Sequence, residues 1–169
     1  QAIRSLVWQL IGISSLKKTS ILGIGVGVPG IVDAAKRKVI RTPNLDLSSV
    51  ALASLLERTF KTKVILENDV NLGTLGEKHF GAAKRAHHVI GLFPGTGIGG
   101  GIIINDVLVS GAHGGAGEIG HMVMDIKGPL CGCGHHGCLE SLAGRWAIER
   151  DIRKAIKQHK KTMIKKLAK

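Results

Sequence analysis

The sequence predicts an α/β protein, and three observations lead to that prediction. Segments with helical spacing of apolar residues alternate along the chain with short apolar runs that are typical of buried strands. Turn-forming residues separate these segments, including 24 glycines and four prolines. Hydrophobic residues make up 44% of the 169 residues. That content and length are enough for a core in one domain or slightly more than one.

The amino-terminal part of the chain predicts a helix followed by strands. Apolar residues recur at helical spacing over residues 2–16, which predicts an amphipathic helix. Residues 20–28 form an apolar run typical of a buried strand, and the turn signal Pro29-Gly30 ends it. Residues 38–45 predict a strand that continues into a loop. Because the chain opens without Met or a preceding strand, we expect it to be a piece of a longer protein.

A second helix is predicted over residues 47–60. Ser48 or Ser49 is the expected cap, because serine accepts hydrogen bonds from the first free N–H groups of a helix. The predicted apolar face consists of Val50, Leu52, Leu55, Leu56 and Phe60.

The next strand ends in polar residues. Residues 64–69 predict a strand, and residues 70–81 predict a helix that Gly81 closes. This succession favours a mainly parallel sheet, and polar side chains at the carboxyl end of a parallel strand line a ligand crevice. Asp69 is therefore a candidate catalytic residue, although it is equally suited to cap the following helix.

A strand, a glycine-rich turn and another strand are predicted over residues 88–106. Gly95, Gly97 and Gly100 have the spacing of a dinucleotide fingerprint, but that fingerprint needs a helix after its glycines. Here an apolar strand pattern follows. The backbone N–H groups around Thr96 favour an anion-binding turn. A plain glycine-rich hairpin remains the alternative.

The positive charge of the chain is concentrated at its carboxyl-terminal end. The net charge is +12, and residues 145–169 hold ten Lys and Arg against two acidic residues. The apolar residues of this segment recur every three to four positions, which predicts an amphipathic helix. Its basic side is most simply a solvated face. A nucleic-acid-binding surface is the alternative, and such binding would depend strongly on salt.

Three cysteines form the pattern CxCxxxxC at Cys131, Cys133 and Cys138. The glycines between them allow the loop to fold back so that the sulfur atoms converge. Such clusters bind metal more often than they form disulfides in reducing compartments. The spacing therefore predicts zinc, with reduced thiols or one disulfide as alternatives.

A tetrahedral zinc needs a fourth ligand. We favour His121, ten residues before Cys131, because Cys3His is a common structural zinc site. His135 and His136, inside the loop, are the alternatives, but their short reach would strain the ring that the loop has to close.

Composition and hydropathy exclude several classes of protein. There is no run of about 18 apolar residues that would span a membrane, and no signal sequence opens the chain. We expect a cytoplasmic protein without a membrane partner. Aromatic residues are sparse, with no Tyr, three Phe and two Trp, which argues against stacking on single-stranded bases.

Several motifs stand in a fixed order along the chain. They are GVGVPG (25–30) with PNL (43–45), ENDVN (67–71), GTGIGGG (95–101), and GEIGH (117–121) with CGCGHHGCLES (131–141). Together they closely resemble the ROK family of repressors, open reading frames and sugar kinases. The combination of GEIGH with the cysteine loop is the specific part of this resemblance.

The resemblance implies an actin and hexokinase-like, ribonuclease H-like fold, the two-lobed fold of a sugar kinase, incomplete at both ends. Residues 1–81 would be part of the amino-terminal α/β lobe. Residues 82–169 would be part of the larger lobe, with the glycine hairpin, the zinc loop and the basic helix.

The resemblance also implies roles for individual residues, with Asp69 as the catalytic base. The sugar-binding positions are Asn44, Asn68, Glu118, His121 and Glu140. The phosphate-binding positions are Gly95, Thr96, Gly97 and Gly99. The ligands of a structural zinc are His121, Cys131, Cys133 and Cys138.

The implied reaction is phosphorylation of a hexose by ATP with Mg²⁺, as in a glucokinase, and the implied assembly is a homodimer. The residue types suit that reaction, because phosphoryl transfer needs a base at the acceptor hydroxyl and donors around the phosphates. The family's first phosphate loop, DxGGT, is absent, and Pro94 replaces a smaller or apolar residue. We therefore expect this chain alone to be inactive or nearly so.

Two other functions remain open. Within the family, a sugar-responsive transcriptional repressor would use the same pocket to sense a sugar, and only then would nucleic acid be a partner. A repressor would carry a helix-turn-helix ahead of this region. From another class, a zinc-stabilised module could bind nucleic acid through its basic helix, but it would leave ENDVN and GEIGH without a purpose.

Overall fold

A computed structural model describes residues 2–14, 17, 20–33, 37–42, 47–158 and 163 of this chain. The chain divides into two compact units. Unit 1 comprises Gln1–Arg85 and Ser110–Ala116, and unit 2 comprises Ala86–Val109 and Gly117–Lys169. Whether these units correspond to the predicted lobes stays a prediction.

In unit 1 three strands follow the first helix and are followed by a helix, a strand and a helix, whereas unit 2 begins with strands and ends with helices. In unit 1 they are α1 (Ala2–Ser14), β1 (Gly23–Val28), β2 (Ile31–Asp33), β3 (Lys38–Arg41), α2 (Leu52–Phe60), β4 (Lys63–Asn68) and α3 (Asp69–Phe80). In unit 2 they are β5 (Val89–Pro94), β6 (Ile98–Ile104), β7 (Val107–Leu108), a 3₁₀ helix (Ile119–His121), α4 (Leu139–Ala143) and α5 (Arg145–Lys157).

Unit 1 has a hydrophobic core between its strands and α2. Strands β1 and β4 pair in parallel, with Val28 opposite Asn68, so that the ends of both strands lie side by side. The buried core consists of Val28, Val32, Val39, Leu52, Ala53, Leu56, Phe60, Val64 and Leu66. The polar end of β4 is therefore attached to the best-packed part of the unit.

Helix α2 begins later than the sequence predicts. Neither Ser48 nor Ser49 caps it, because Ser49 takes a left-handed turn with φ 63° and the cap position falls on Ala51. Leu52, Leu56 and Phe60 are buried as expected. Leu55, which was assigned to the apolar face, is 50% exposed, because a helix of this length buries only one narrow stripe.

The prediction of a mainly parallel sheet is wrong for the described strands. Only β1 and β4 pair in parallel, whereas β2–β3 and β5–β6–β7 are antiparallel. The physical reason is the length of the connections. Parallel neighbours need a long crossover, while the short links between β2 and β3 and between β5 and β6 can join only antiparallel strands.

Unit 2 is built on the predicted strand, glycine turn and strand. Register runs from Val89 opposite Ile103 to Pro94 opposite Ile98. The short 3₁₀ helix lies against this sheet, because a Cβ at Gly100 would meet Ile119 Cγ1 at 2.8 Å. Glycine at this position therefore allows the GEIGH segment to approach the sheet.

The basic helix is confirmed in part. Helix α5 ends at Lys157, and Met163, which was expected within it, lies in a bend and is 68% exposed. The remaining basic residues beyond Gln158 lie outside the described residues. None of the helices in the described part of the chain has the length and apolar character that a membrane span needs.

Candidate functional site

Asn68 caps helix α3 in unit 1. Its side-chain oxygen accepts hydrogen bonds from the N–H groups of Val70 (2.9 Å) and Asn71 (3.0 Å). Its amide nitrogen donates to the Gly30 carbonyl at 3.0 Å. The alternative that Asp69 serves as the cap is therefore wrong. Asn68, which was predicted to contact a sugar, is held from both sides, and among the described residues one N–H of its amide has no protein partner.

Asp69 is the first residue of α3, and its side chain is exposed. Its Oδ1 accepts a hydrogen bond from Val70 N–H at 3.0 Å. The positive end of the helix dipole stabilises a carboxylate at this position. Since Asn68 provides the cap, the second oxygen of Asp69 is available to accept a proton or a hydrogen bond.

The neighbours of Asp69 keep this corner compact. A Cβ at Gly27 would lie 3.1 Å from Leu72 Cδ1 and 3.5 Å from Asp69 Cα, so glycine lets β1 approach the start of α3. Below the surface, Asn71 is buried and donates to Glu67 Oε1 at 3.0 Å. Asn44, the other sugar contact predicted in this half of the chain, lies outside the described residues.

The glycine turn in unit 2 is a closed hairpin. Gly95 N–H donates to the Gly97 carbonyl at 2.8 Å. Ile98 N–H, one residue further, donates to Glu140 Oε2 at 2.9 Å. Thr96 is exposed at the tip, and no backbone partner of its N–H is found among the described residues. An anion at this turn would therefore meet fewer donors than the sequence suggests.

Arg145 adds a positive charge at the hairpin that the sequence analysis missed. Its guanidinium donates to Thr96 Oγ1 at 3.1 Å. Its Nε lies 3.7 Å from Glu149 Oε1, one turn along α5. The available signal was an arginine directly after Gly144 at the start of a predicted helix, but nothing in the sequence connects that position to Thr96.

The three cysteines and His121 converge in unit 2. Cys131 Sγ lies 3.6 Å from His121 Nδ1, and Cys133 Sγ lies 3.6 Å from Cys138 Sγ. The four ligand atoms all lie within 4.8 Å of one another. The loop that brings them together turns at Gly137, which has φ 68° and where a Cβ would overlap the Asp125 carbonyl.

This donor set fits a tetrahedral zinc. Zinc bonds of about 2.3 Å to sulfur and about 2.0 Å to nitrogen put neighbouring sulfurs about 3.8 Å apart and sulfur and nitrogen about 3.6 Å apart. Both 3.6 Å separations in the cluster are close to those values. Among the described residues, this is the one group with metal-binding geometry.

The two alternative histidines have other positions. His136 Nδ1 lies 3.0 Å from the Gly128 carbonyl. His135 Nδ1 lies 3.5 Å from Cys133 Sγ but does not belong to the convergent group. The geometry thus favours His121 as the fourth ligand, while its Nε2 lies 3.8 Å from Oε2 of the exposed Glu118.

The thiols of the cluster differ in acidity. Hydrogen bonds from the backbone and then the side chain of His135 lower the pKa of the exposed Cys133 thiol to about 6. Burial raises the pKa of Cys138 to about 12 and also raises the pKa of Cys131. The lowered pKa of Cys133 favours its thiolate, which is the form that binds metal.

The α/β elements, the polar strand end, the glycine hairpin and the cysteine cluster define a member of the actin and hexokinase-like class, as predicted. The chain belongs to the ROK family, whose model matches residues 1–169.

Relatives of this chain include both kinases and regulators. It is 41% identical over 146 residues to a glucokinase from Thermotoga maritima, covering 86% of this chain and 46% of that protein. It is 43% identical over 138 residues to a xylose repressor from Caldicellulosiruptor bescii, covering 82% of this chain and 35% of that protein. The chain thus spans less than half the length of these curated relatives.

A solved structure supports the fold. The crystal structure of a ROK family glucokinase from Streptomyces griseus in complex with glucose and AMPPNP superposes with a TM-score of 0.77 at 34% identity. The match covers 93% of this chain and 50% of that one.

Proposed function

We propose that this chain carries the hexose site of an ATP-dependent sugar kinase of the glucokinase type. The observation that carries the proposal is that Asn68 and Asp69, at the end of β4, have different roles. Asn68 caps the helix, so the exposed carboxylate of Asp69 is held in place without having to serve as the cap. A fixed carboxylate suits a general base for a sugar hydroxyl.

In unit 1 the proposed sugar contacts are Asn68 and, as a further contact, Asn44. In unit 2 the sugar-binding positions that the family resemblance implies are Glu118, His121 and Glu140. The phosphates of ATP, with Mg²⁺, meet the hairpin at Gly95, Thr96, Gly97 and Gly99. The residue chemistry supports this, since amide and carboxylate groups form paired hydrogen bonds with vicinal hydroxyls. The two relatives named as glucokinases support hexose and ATP as substrates.

We assign zinc to His121, Cys131, Cys133 and Cys138 as a structural ion. When bound, it would supply no reaction chemistry but would hold the loop and its neighbours in one arrangement. His121 would then present Nε2 on the side of Glu118. The family resemblance also implies a homodimer, which belongs to the same proposal.

The proposal is tested by replacing the matching segment of the Thermotoga maritima glucokinase with this chain. The chimera should form ADP in a hexose-dependent manner. Asp69→Ala should lower kcat by about 10²-fold or more, as expected for loss of a general base, while hexose binding by calorimetry stays within about twofold. Equal loss of binding and turnover would mean that Asp69 is a sugar ligand or a structural residue.

A sugar-responsive repressor is the second candidate, because the xylose repressor from Caldicellulosiruptor bescii is 43% identical to this chain. The same chimera separates the two functions. A chimera that binds a sugar but forms no ADP, with or without Asp69, would favour a sensor over a kinase.

The metal assignment is tested by zinc analysis of the purified chain. We expect about one zinc per chain, loss of that zinc in His121→Ala, and retention in the matched variant His136→Ala. If His121→Ala retained zinc and His135→Ala lost it, the fourth ligand would be His135 in the loop.

A further inference from the structure

Glu140 reaches from the cysteine loop to the glycine hairpin within unit 2. Its Oε2 accepts the hydrogen bond of Ile98 N–H at 2.9 Å. The same oxygen occupies the space beside Gly97, where a Cβ would overlap it. Glu140 was predicted to contact a sugar, yet one of its two oxygens already binds the hairpin backbone.

The opposite strand of the hairpin tip is held by the start of α5. Arg145 N–H donates to the Gly95 carbonyl at 3.2 Å, and Trp146 N–H donates to the Thr96 carbonyl at 3.4 Å. Together with the Glu140 bond to Ile98, these bonds attach the hairpin tip to the α4–α5 corner at Gly95, Thr96 and Ile98. The hairpin therefore has little freedom to move independently of that corner.

The other end of α4 belongs to the cysteine cluster. Cys138 is the cap residue of α4, two positions before Glu140. Leu139 N–H donates to the Met122 carbonyl at 2.9 Å, next to His121. Cys131 Sγ lies 4.0 Å from Glu140 Oε1. The cysteine cluster and the Glu140 carboxylate are therefore joined through the first residues of α4.

We propose that Glu140 is a positioning residue that couples metal binding by the cysteine cluster to the conformation of the glycine hairpin. When the four ligands hold a metal, α4 is fixed at Cys138 and Glu140 keeps its bond to Ile98 N–H. The proposed function enters only in identifying the hairpin as a phosphate-binding element, because the coupling itself concerns these residues alone.

The coupling is tested by hydrogen exchange at single amides, measured by NMR on the whole chain with zinc chloride or with a chelator. Zinc should slow exchange of Ile98 N–H by about tenfold or more, the change that a hydrogen bond to a charged acceptor represents. Glu140→Ala should abolish this slowing, and Glu140→Gln, which keeps an acceptor oxygen, should restore part of it.

Two controls separate coupling from general unfolding. Gly137 N–H, which donates to the Pro129 carbonyl at 2.8 Å within the cysteine loop, should be protected by zinc in the wild type and in both variants. Asp151→Ala removes another carboxylate of the same region and should leave Ile98 unchanged. Zinc-dependent protection of Ile98 that persists in Glu140→Ala would overturn the proposal.

A larger side chain at position 97 tests the contact between Glu140 and the hairpin without any metal measurement. Gly97→Ala should displace the carboxylate and raise the exchange rate of Ile98 by about tenfold. In the Glu140→Ala background the same change should have no effect on that rate, because no carboxylate remains to be displaced. Equal effects in both backgrounds would show that the contact does not carry the coupling.

These results are independent of catalysis. A chain that fails to support hexose phosphorylation but shows Glu140-dependent protection of Ile98 would contradict the proposed function alone. If a chimera phosphorylates hexose but zinc-dependent protection of Ile98 N–H does not depend on Glu140, the coupling alone is contradicted.

Discussion

The two units are stabilised in different ways. Unit 1 buries nine apolar side chains in one hydrophobic cluster. In the described part of unit 2 the buried apolar side chains are Ile98, Ile103, Cys131, Cys138 and Ala147, of which two are cysteines of the convergent cluster. The difference indicates that unit 1 depends on hydrophobic burial, whereas unit 2 depends on backbone contacts of its glycines and on its cluster.

The largest expected effect is that of metal removal. Metal binding at a structural zinc site contributes about 10 kcal/mol or more. Chelation should therefore release amide protection in residues 119–141, while Val64 and Leu66 of β4 keep theirs. Hydrogen exchange by mass spectrometry resolves the two segments. Loss of amide protection in both segments would mean that the two units do not differ in their dependence on the metal.

The next effect is a deletion in the core of unit 1. Phe60 is 2% exposed, so Phe60→Ala should lower the free energy of unfolding by about 3 to 5 kcal/mol. Phe80, 88% exposed, provides the matched control, and Phe80→Ala should change it by less than about 0.5 kcal/mol. Urea unfolding measures both. Similar losses of unfolding free energy in the two variants would mean that the hydrophobic cluster does not dominate the stability of unit 1.

A smaller effect is expected from the cap of α3. Asn68→Ala removes the acceptor for two N–H groups and should cost about 1 kcal/mol. Asn68→Asp keeps an acceptor and should recover most of this loss. Asp69→Asn leaves the cap intact but removes a charge that the helix dipole stabilises, so it should cost about 0.5 kcal/mol, less than Asn68→Ala. Thermal unfolding measures all three variants. A larger loss for Asp69→Asn than for Asn68→Ala would reverse the roles described for these residues.

The smallest expected effect concerns the stability of unit 1 at acidic pH. A hydrogen bond from Val64 N–H, and then one from Arg37, lowers the pKa of Glu57 below its ordinary value of 4.5. A lowered folded pKa stabilises the protein above pH 4.5, and this contribution is lost as the pH falls through the folded pKa.

The corresponding measurement is unfolding in urea at pH values on either side of 4.5. Glu57→Gln should flatten the acid loss of stability in unit 1, whereas Glu149→Gln in unit 2 should leave it unchanged. An unaltered acid slope in Glu57→Gln would assign the loss to other carboxylates.

Local patterns in the sequence predicted several parts of the structure. The glycine hairpin followed from two apolar runs around a turn signal, and the convergence of Cys131, Cys133 and Cys138 followed from their spacing. Such features depend on residues a few positions apart, so short-range geometry is sufficient to define them. The order of the motifs also predicted the ROK family, and the family match confirms that prediction.

Other features depended on contacts between distant parts of the chain. The sequence placed a cap at Ser48 or Ser49, but the fold turns left-handed there and starts α2 later. It also offered Asp69 as the cap of α3, whereas the cap is Asn68. These choices depend on backbone conformation that is set by packing, and residue preference alone does not determine them.

By itself, then, the sequence determined the α/β class, the family and the identity of the metal-ligand candidates, because these reside in local spacing and motif order. Only the tertiary structure decided that His121 joins the cysteines, that Asn68 rather than Asp69 serves as the cap, and that Glu140 and Arg145 hold the hairpin. Glu140 and Ile98 are 42 positions apart, and Arg145 and Thr96 are 49 apart. Contacts over such separations form only when the whole unit folds.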